Sequence, residues 1–346
     1  MSNLCSTKLY LLDKLALFKM NKNTKFNTTQ HNPCMCKGHS KSLVFLNDYI
    51  DHSRLPLKSR LKQGIKNGMM SLLSPINLRW DKYLGERVTY HRKVYESELI
   101  FKNKKIVRCD ECNLTWLHPM PSDHDLALYY GSSFWENKHT TFQLSAGSTK
   151  EKNRAFYQYE FMKPFIDFSH QIEDMLEIGA GHAGISYLLN NLFSNITTSI
   201  LEPDESFRNT HKNIGVCTDT FKDLNEIDKT YDLVLSSHSL EHVSNILEDI
   251  GIIAKVLKPK GYFFLEVPNA NDIYFKCYRT DIPHTYFFNL ESIQGLAEHF
   301  NLKVLDIGEF GPNKEEFLAK NYFTIEEKNM RKANGGNLRC LLQKQS

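Results

Sequence analysis

The sequence predicts an α/β chain. Its larger part is a doubly wound, mostly parallel, seven-stranded sheet with an antiparallel last strand, preceded by a smaller cysteine-containing region. Three observations predict this. From about Asp174 onward, β-branched and apolar runs alternate with helical stretches, the pattern of a parallel sheet covered on both faces. A glycine-rich turn follows the first of these runs and opens a helix. The last two runs have no helical crossover between them, so they should pair antiparallel.

The elements follow in order. Asp174-Met-Leu-Glu-Ile reads as a buried strand, and the helix after the glycine turn runs through Leu189. Ile196 to Leu201 is a second strand and Asp204 to Lys212 a short helix. Val216 marks the middle of a weak third strand. Tyr231 to Ser236 is a strong fourth strand, with a helix from about Asn245 to Leu257 after it. Pro259-Lys-Gly261 is a helix stop, because proline cannot continue a helix and glycine favours its end. Tyr262 to Val267 is the fifth strand and Ser292 to Phe300 a helix; Leu302 to Ile307 and Leu338 to Leu342 complete the sheet.

A length of 346 residues, 41% hydrophobic and 24% charged, suits a globular chain with a sizeable core. No apolar run approaches the roughly 20 residues of a membrane helix. The apolar stretch Leu9 to Leu17 is interrupted by Asp13 and Lys14, unlike a secretory leader, so a cytoplasmic location is expected. The net charge of +3 implies no particular partner, but from Lys37 to Arg108 there are 16 Lys or Arg against 6 Asp or Glu. That stretch could face phosphates or simply be a solvated surface; without an aromatic RNA-binding pattern, a nucleic acid is the lesser option. We divide the chain into a loosely ordered 1–30, a basic lid or substrate region over 31–150, and the sheet domain over 151–346.

The loop Glu177-Ile-Gly179-Ala-Gly181-His-Ala-Gly184 lies at the crevice where open α/β sheets bind ligands. Its glycines allow a tight turn and close approach of a ligand to the backbone. Glu202, 18 residues beyond Gly184, ends the second strand, where a carboxylate can accept both hydroxyls of a ribose. A nucleoside is therefore expected, and NAD and S-adenosyl-L-methionine both use such a corner. The Tyr-x-x-x-Lys pairs, Tyr10/Lys14 and Tyr159/Lys163, precede the loop, which disfavours a short-chain dehydrogenase. Glu177 can face a cationic methionine, which favours S-adenosylmethionine.

Residues 174 to 343 resemble a class I S-adenosylmethionine-dependent methyltransferase, with its Rossmann-like sheet. The likeness is carried by Leu176-Glu-Ile-Gly-Ala-Gly-His-Ala-Gly184, Leu201-Glu-Pro-Asp204, Tyr231-Asp-Leu-Val-Leu-Ser-Ser-His-Ser-Leu-Glu-His-Val243 and Leu257-Lys-Pro-Lys-Gly-Tyr-Phe-Phe-Leu-Glu-Val-Pro-Asn269. The resemblance implies that Gly179, Gly181 and Gly184 line the methionine end and that Glu202 holds the ribose. It puts Pro203 beside the adenine, Asp219 and Thr220 near its amino group, and Ser237 and His238 at the methionine.

Eight cysteines are too few for a disulfide scaffold, yet four form two close pairs, Cys34/Cys36 and Cys109/Cys112. Cys109-Asp-Glu-Cys112 followed by Asn113 is a turn suited to thiolate ligation, with Asn tolerating the left-handed conformation. A closed structural zinc on Cys34, Cys36, Cys109 and Cys112 is one reading and two ordinary buried cysteine turns the other; His31 and His39 are further ligand candidates. A zinc-knuckle segment ending in Pro119-Met-Pro121, then Leu126 to Trp135, resembles the subgroup of sugar C-methyltransferases and related small-molecule enzymes. The Cys-x-Cys spacing, the basic insert and the absence of their C-terminal domain depart from that subgroup.

Methyl transfer is an in-line displacement that needs a base only when the acceptor loses a proton. His284, in Ile282-Pro-His-Thr-Tyr286, and His242, after the fourth strand, are the candidate bases. Tyr130 and Tyr286 are candidate substrate contacts. A small-molecule acceptor, possibly a nucleotide sugar, is the partner these readings favour; a methyltransferase-like binding module without turnover is the rival.

Overall fold

A computed structural model describes residues 34–36, 43–49, 99–130, 153–278, 282–320 and 322–346. The first segment, 1–30, and most of the basic stretch lie outside the described residues. Two sheets carry the fold.

The larger sheet contains β4 (Asp174–Ile178), β5 (Thr197–Leu201), β6 (Asp219–Phe221), β7 (Tyr231–Ser237), β8 (Leu257–Pro268), β10 (Leu302–Phe310) and β11 (Asn337–Lys344). Its order is β10-β11-β8-β7-β4-β5-β6. Strands β6, β5, β4, β7 and β8 run parallel, while β11 is antiparallel to both its neighbours, β8 and β10. The predicted doubly wound sheet and its antiparallel closing strand are therefore present.

Alternate residues of the central strands feed two cores. Leu176, Ile178 and Val234 pack with Ile246, Ile250 and Ile253 of helix α5 (Ile246–Val256) and with Ile293 and Leu296 of α7 (Leu290–His299). Met175, Leu233 and Leu235 face the other way, onto Ala155 and Met162 of α2 (Arg154–Met162) and Ile185, Leu188 and Leu189 of α3 (Gly184–Leu192). This two-residue alternation between two apolar environments makes the central strands read as continuous hydrophobic runs. Side chains cap the helices: Asp204 accepts the Phe207 N–H at α4 (Glu205–Asn213), and Asn289 forms a reciprocal box with Ser292 at α7.

Two strand assignments differ from expectation. The third strand starts at Asp219 rather than around Val216, because Gly215 (φ +72°) ends the helix turn late and Val216 bonds back to the His211 carbonyl. The Pro259-Lys-Gly261 stretch stops the helix but does not separate it from the strand; β8 begins at Leu257 and passes through it. The register against β7 slips there, with Lys260 at φ +64°, so the segment is accommodated as a bulge.

The smaller sheet is antiparallel, in the order β1 (Leu43–Asp48), β2 (Lys105–Cys109), β3 (Thr115–His118), β9 (Tyr286–Phe287). Its last strand comes from the loop after β8, so the smaller sheet takes a strand from beyond the expected 150/151 boundary. Helix α1 (Asp123–Tyr129), opened by a Ser122 capping box, leads from β3 toward the crevice.

One buried ionic network spans the sheet. Glu266, 1% exposed, accepts Arg339 Nε at 2.8 Å, Arg154 Nη2 at 2.6 Å and Gln158 Nε2 at 3.1 Å. Arg339 is 2% exposed and also meets Asn329. Burial alone would push the Glu266 carboxyl up; the two guanidinium groups outweigh it and hold it well below the usual range. A depressed carboxyl contributes stability above its unfolded value and loses it as pH falls through the folded one. Arg339→Leu leaves the anion short of its buried partner and should lower the unfolding free energy by about 3–5 kcal/mol. Denaturant melts at pH 7 and pH 4 check this, with the gap between variant and wild type shrinking as the pH drops below about 4.5.

Candidate active site

The functional residues gather at the C-terminal ends of β4, β5, β7 and β8. Gly179 and Gly181 adopt φ of +63° and +49°, so the loop after β4 turns sharply before α3. At Gly179 the Ser239 hydroxyl occupies the space a Cβ would need, which presses the glycine loop against the loop after β7. Ala183, at φ +50°, precedes Gly184, the first residue of α3.

Glu202 is 2% exposed, and its carboxylate accepts the Gly181 N–H and the Asp204 N–H, each at 3.0 Å. Two carboxylate oxygens hold about four acceptor positions, so two remain for a diol. Burial raises its carboxyl against these two hydrogen bonds. Pro203 is exposed beside it, its carbonyl held by Arg208 Nη1 at 2.6 Å. His211 of α4, which the sequence reading missed, sends Nε2 to the Gly181 carbonyl at 2.8 Å and bolts the glycine loop from behind. His182, read as a solvent-facing helix start, is exposed and packs its ring edge near Phe207.

Three expected cofactor residues lie elsewhere. The Glu177 carboxylate, 5% exposed, accepts the N–H and hydroxyl of Ser186, so it braces the start of α3 from within. Burial pushes it up to about 7, with the Ser186 hydrogen bonds opposing. Asp219 and Thr220 are the first residues of β6, opposite Ser199 and Ile200, and Asp219 is engaged by Lys229 Nζ at 2.9 Å. Glu202 N–H bonds the Phe221 carbonyl, which places Phe221 and the residues after it level with the crevice. The late start of the strand places Asp219 and Thr220 within β6 rather than after it.

Around the end of β7, Ser237 accepts Gln158 Nε2 at 2.9 Å. His238, at φ +53°, sets its ring between two buried carboxylates, with Nδ1 3.3 Å from Glu241 Oε1 and Nε2 3.6 Å from Glu266 Oε1. Glu241 and His242 follow in a 3-10 turn (Leu240–His242), and His242 Nε2 lies 3.8 Å from Glu241 Oε1. The His284 ring stands 4.8 Å from that of His242, centroid to centroid. Burial raises the Glu241 carboxyl, but His242, His238 and His284 outweigh it and hold it at about 2. Burial brings His242 down to about 4 against the pull of Glu241, so it is neutral at pH 7.

Thr285 brings the two histidine loops together. Its N–H donates to the Glu241 carbonyl at 2.7 Å, and its buried hydroxyl lies 2.6 Å from the Val243 carbonyl and 3.0 Å from that of Glu241. Its own carbonyl accepts the Leu117 N–H of β3 at 2.8 Å. Tyr130, at the end of α1, faces His242 with ring centroids 6.2 Å apart. Burial, with Tyr129 and the charges of Glu241 and Glu202, raises its hydroxyl well above the usual phenol range. Tyr286 is 1% exposed, with its hydroxyl accepting the Ile246 N–H and meeting the Ser244 carbonyl. It packs the core instead of facing a substrate.

The four cysteines converge, their sulfurs all within 4.8 Å of one another. Cys34 Sγ lies 3.3 Å from Cys109 and 3.5 Å from Cys112, and Cys36 Sγ 3.9 Å from Cys109. Asn113 takes the left-handed turn, φ +57°, and returns its N–H to the Cys109 carbonyl.

Residues 149–307 match the family model described as "Methyltransferase domain". A search of curated proteins finds no match. Among solved structures, the chain is similar to a 1,6-didemethyltoxoflavin-N1-methyltransferase from Burkholderia thailandensis with bound S-adenosylhomocysteine, at 12% identity and TM-score 0.45, covering 71% of this chain and 97% of that one. It is also similar to S-adenosylmethionine-dependent methyltransferases from Clostridium acetobutylicum (12% identity, TM-score 0.41, 57% and 94% covered) and Mesorhizobium loti (13%, 0.40, 54% and 98%). The glycine loop, Glu202 and strands β4 to β8 all fall within the matched residues, so residues 149–307 are similar to a methyltransferase domain.

Glu202→Ala removes acceptors for two ribose hydroxyls, each worth about 1.5–3 kcal/mol as a hydrogen bond to a charged group. Calorimetry with S-adenosylhomocysteine should register a loss of at least about a hundredfold. His211→Ala should cost only about fivefold, the loss of one ordinary hydrogen bond.

Proposed function

We propose that this enzyme methylates a small molecule, a sugar or metabolite of a polysaccharide or secondary-metabolite pathway. The observation that carries the reading is the juxtaposition, across the Gly179–Ser239 contact, of the glycine loop with the corner formed by His238, Glu241, His242 and His284. The cofactor's methionine end would lie along Gly179, Gly181, Gly184, Ser237 and His238, with its ribose on Glu202. The acceptor would lie against His284, His242 and Tyr130. Attack of its lone pair on the sulfonium methyl breaks the carbon–sulfur bond, and the electron pair stays on sulfur in S-adenosylhomocysteine. His284 acts on the proton the acceptor gives up, and neutral His242 supports it.

Cys34, Cys36, Cys109 and Cys112 would hold a structural zinc. Ligand bonds of about 2.3 Å put tetrahedral sulfurs roughly 3.8 Å apart, and the separations of 3.3 to 3.9 Å suit that spacing. The ion would tie residues 34–36 to the β2–β3 turn and supply no open position for substrate.

Methyl-labelled cofactor with a size-fractionated cell extract tests the substrate class: label should enter the small-molecule fraction, and label confined to protein or RNA defeats the reading. His284→Ala should abolish that transfer while leaving S-adenosylhomocysteine affinity within about twofold. Purified protein should carry zinc that Cys109→Ser/Cys112→Ser loses, read by elemental analysis.

A further inference from the structure

We infer that Glu241, His242 and His284 form a second metal site, separate from the cysteines, that takes a first-row divalent transition cation such as Zn²⁺, Mn²⁺ or Co²⁺. The inference rests on reading this corner as the acceptor site and deepens it by changing how His284 acts there.

One carboxylate oxygen of Glu241 and one ring nitrogen from each histidine all lie within 4.8 Å of one another. Around a cation with bonds of about 2.1 Å, tetrahedral ligand atoms sit roughly 3.4 Å apart. The Glu241 Oε1 to His242 Nε2 separation, 3.8 Å, needs only a small contraction. Two imidazoles and one carboxylate suit such cations, in contrast to the soft thiolates of the cysteine cluster. Three protein ligands leave one position open, the pattern of a catalytic site, whereas four sulfurs close a structural one.

Glu241 supplies the independent observation. Its side chain is 1% exposed, and among the described residues neither carboxylate oxygen receives a well-aligned hydrogen bond, His238 Nδ1 standing 3.3 Å from Oε1. A buried anion of this kind is costly without a positive partner. The nearby guanidinium groups of Arg154 and Arg339 are committed to Glu266, and the nitrogens beside Glu241 belong to imidazoles. A cation between Glu241, His242 and His284 would supply the missing charge. Thr285, which clamps the His284 loop to the carbonyls of Glu241 and Val243, holds the three ligands in place before the ion arrives.

An acceptor oxygen or nitrogen would fill the open position, where the ion's charge favours loss of its proton. His284 then serves the reaction as a ligand.

The full-length protein, stripped with chelator, reloaded with Zn²⁺ and desalted, should retain two equivalents per chain. His284→Ala should retain one fewer, and His242→Ala should do the same, guarding against a local folding failure in either variant. Cys109→Ser/Cys112→Ser should lose a different equivalent, so the two losses add when the variants are combined. Equal zinc content in wild type and both histidine variants overturns the inference. S-adenosylhomocysteine titration of the same samples keeps the two readings apart. Intact binding with no histidine-dependent zinc sinks the metal site alone, whereas no binding by the wild type sinks the methyltransferase reading of the corner whatever the zinc count.

Discussion

The histidine side of the crevice depends on the hydrogen bonds of one buried threonine. Thr285 reaches the Glu241 and Val243 carbonyls with its N–H and hydroxyl and takes the Leu117 N–H on its carbonyl. It thus locks three pieces of chain that have no covalent reason to meet: the 3-10 turn after β7, the loop after β8 and the edge of the small sheet. His284, one residue earlier, is positioned by the same clasp. Because β9 follows directly, the small sheet is the platform on which the histidine loop is built, more than a neighbouring domain.

That arrangement gives the cysteine cluster a mechanical relation to the chemistry. Cys109 ends β2 and Cys112 lies in the turn into β3, whose Leu117 holds Thr285. Cys34 and Cys36 attach a further segment to that turn, and Met35 between them packs on Gly295 of α7, where any side chain would crowd it. A rigid turn here fixes the register of β3 and, through it, the histidine loop. The cofactor side is braced independently, by His211 on Gly181 and Glu177 on Ser186.

What could be read from the sequence was set by short-range physics. The continuous apolar runs, the glycine turn and Glu202 at the end of β5 are local signals, and each gave the correct element. The errors arose where an element's position depends on partners far away. Strand β6 has only three residues, and its start is fixed by pairing with β5, so the adenine-side residues were placed too early. Glu177 carries the same charge whether it faces a ligand or a helix start, and only the position of Ser186 decides which. Tyr286 sits in the right loop, but its ring is buried and its hydroxyl is taken up by Ile246 and Ser244. The Glu266–Arg339 pair left one trace, a lone carboxylate in the apolar run Phe263 to Val267, with no hint that its partner lay 73 residues on.

The insertion of β11 between β8 and β10 has a consequence for synthesis. Strands β8 and β10 are both synthesised before their common neighbour, and β10 has no other strand to pair with until residues 337–344 emerge. Glu266 waits too, because Arg339 arrives on that same strand. Sheet closure and the second of the two Glu266 ion pairs are therefore one late event. A nascent chain stalled before that point would hold a glycine loop and histidines without the wall behind them, and would present two unpaired strand edges to the chaperones.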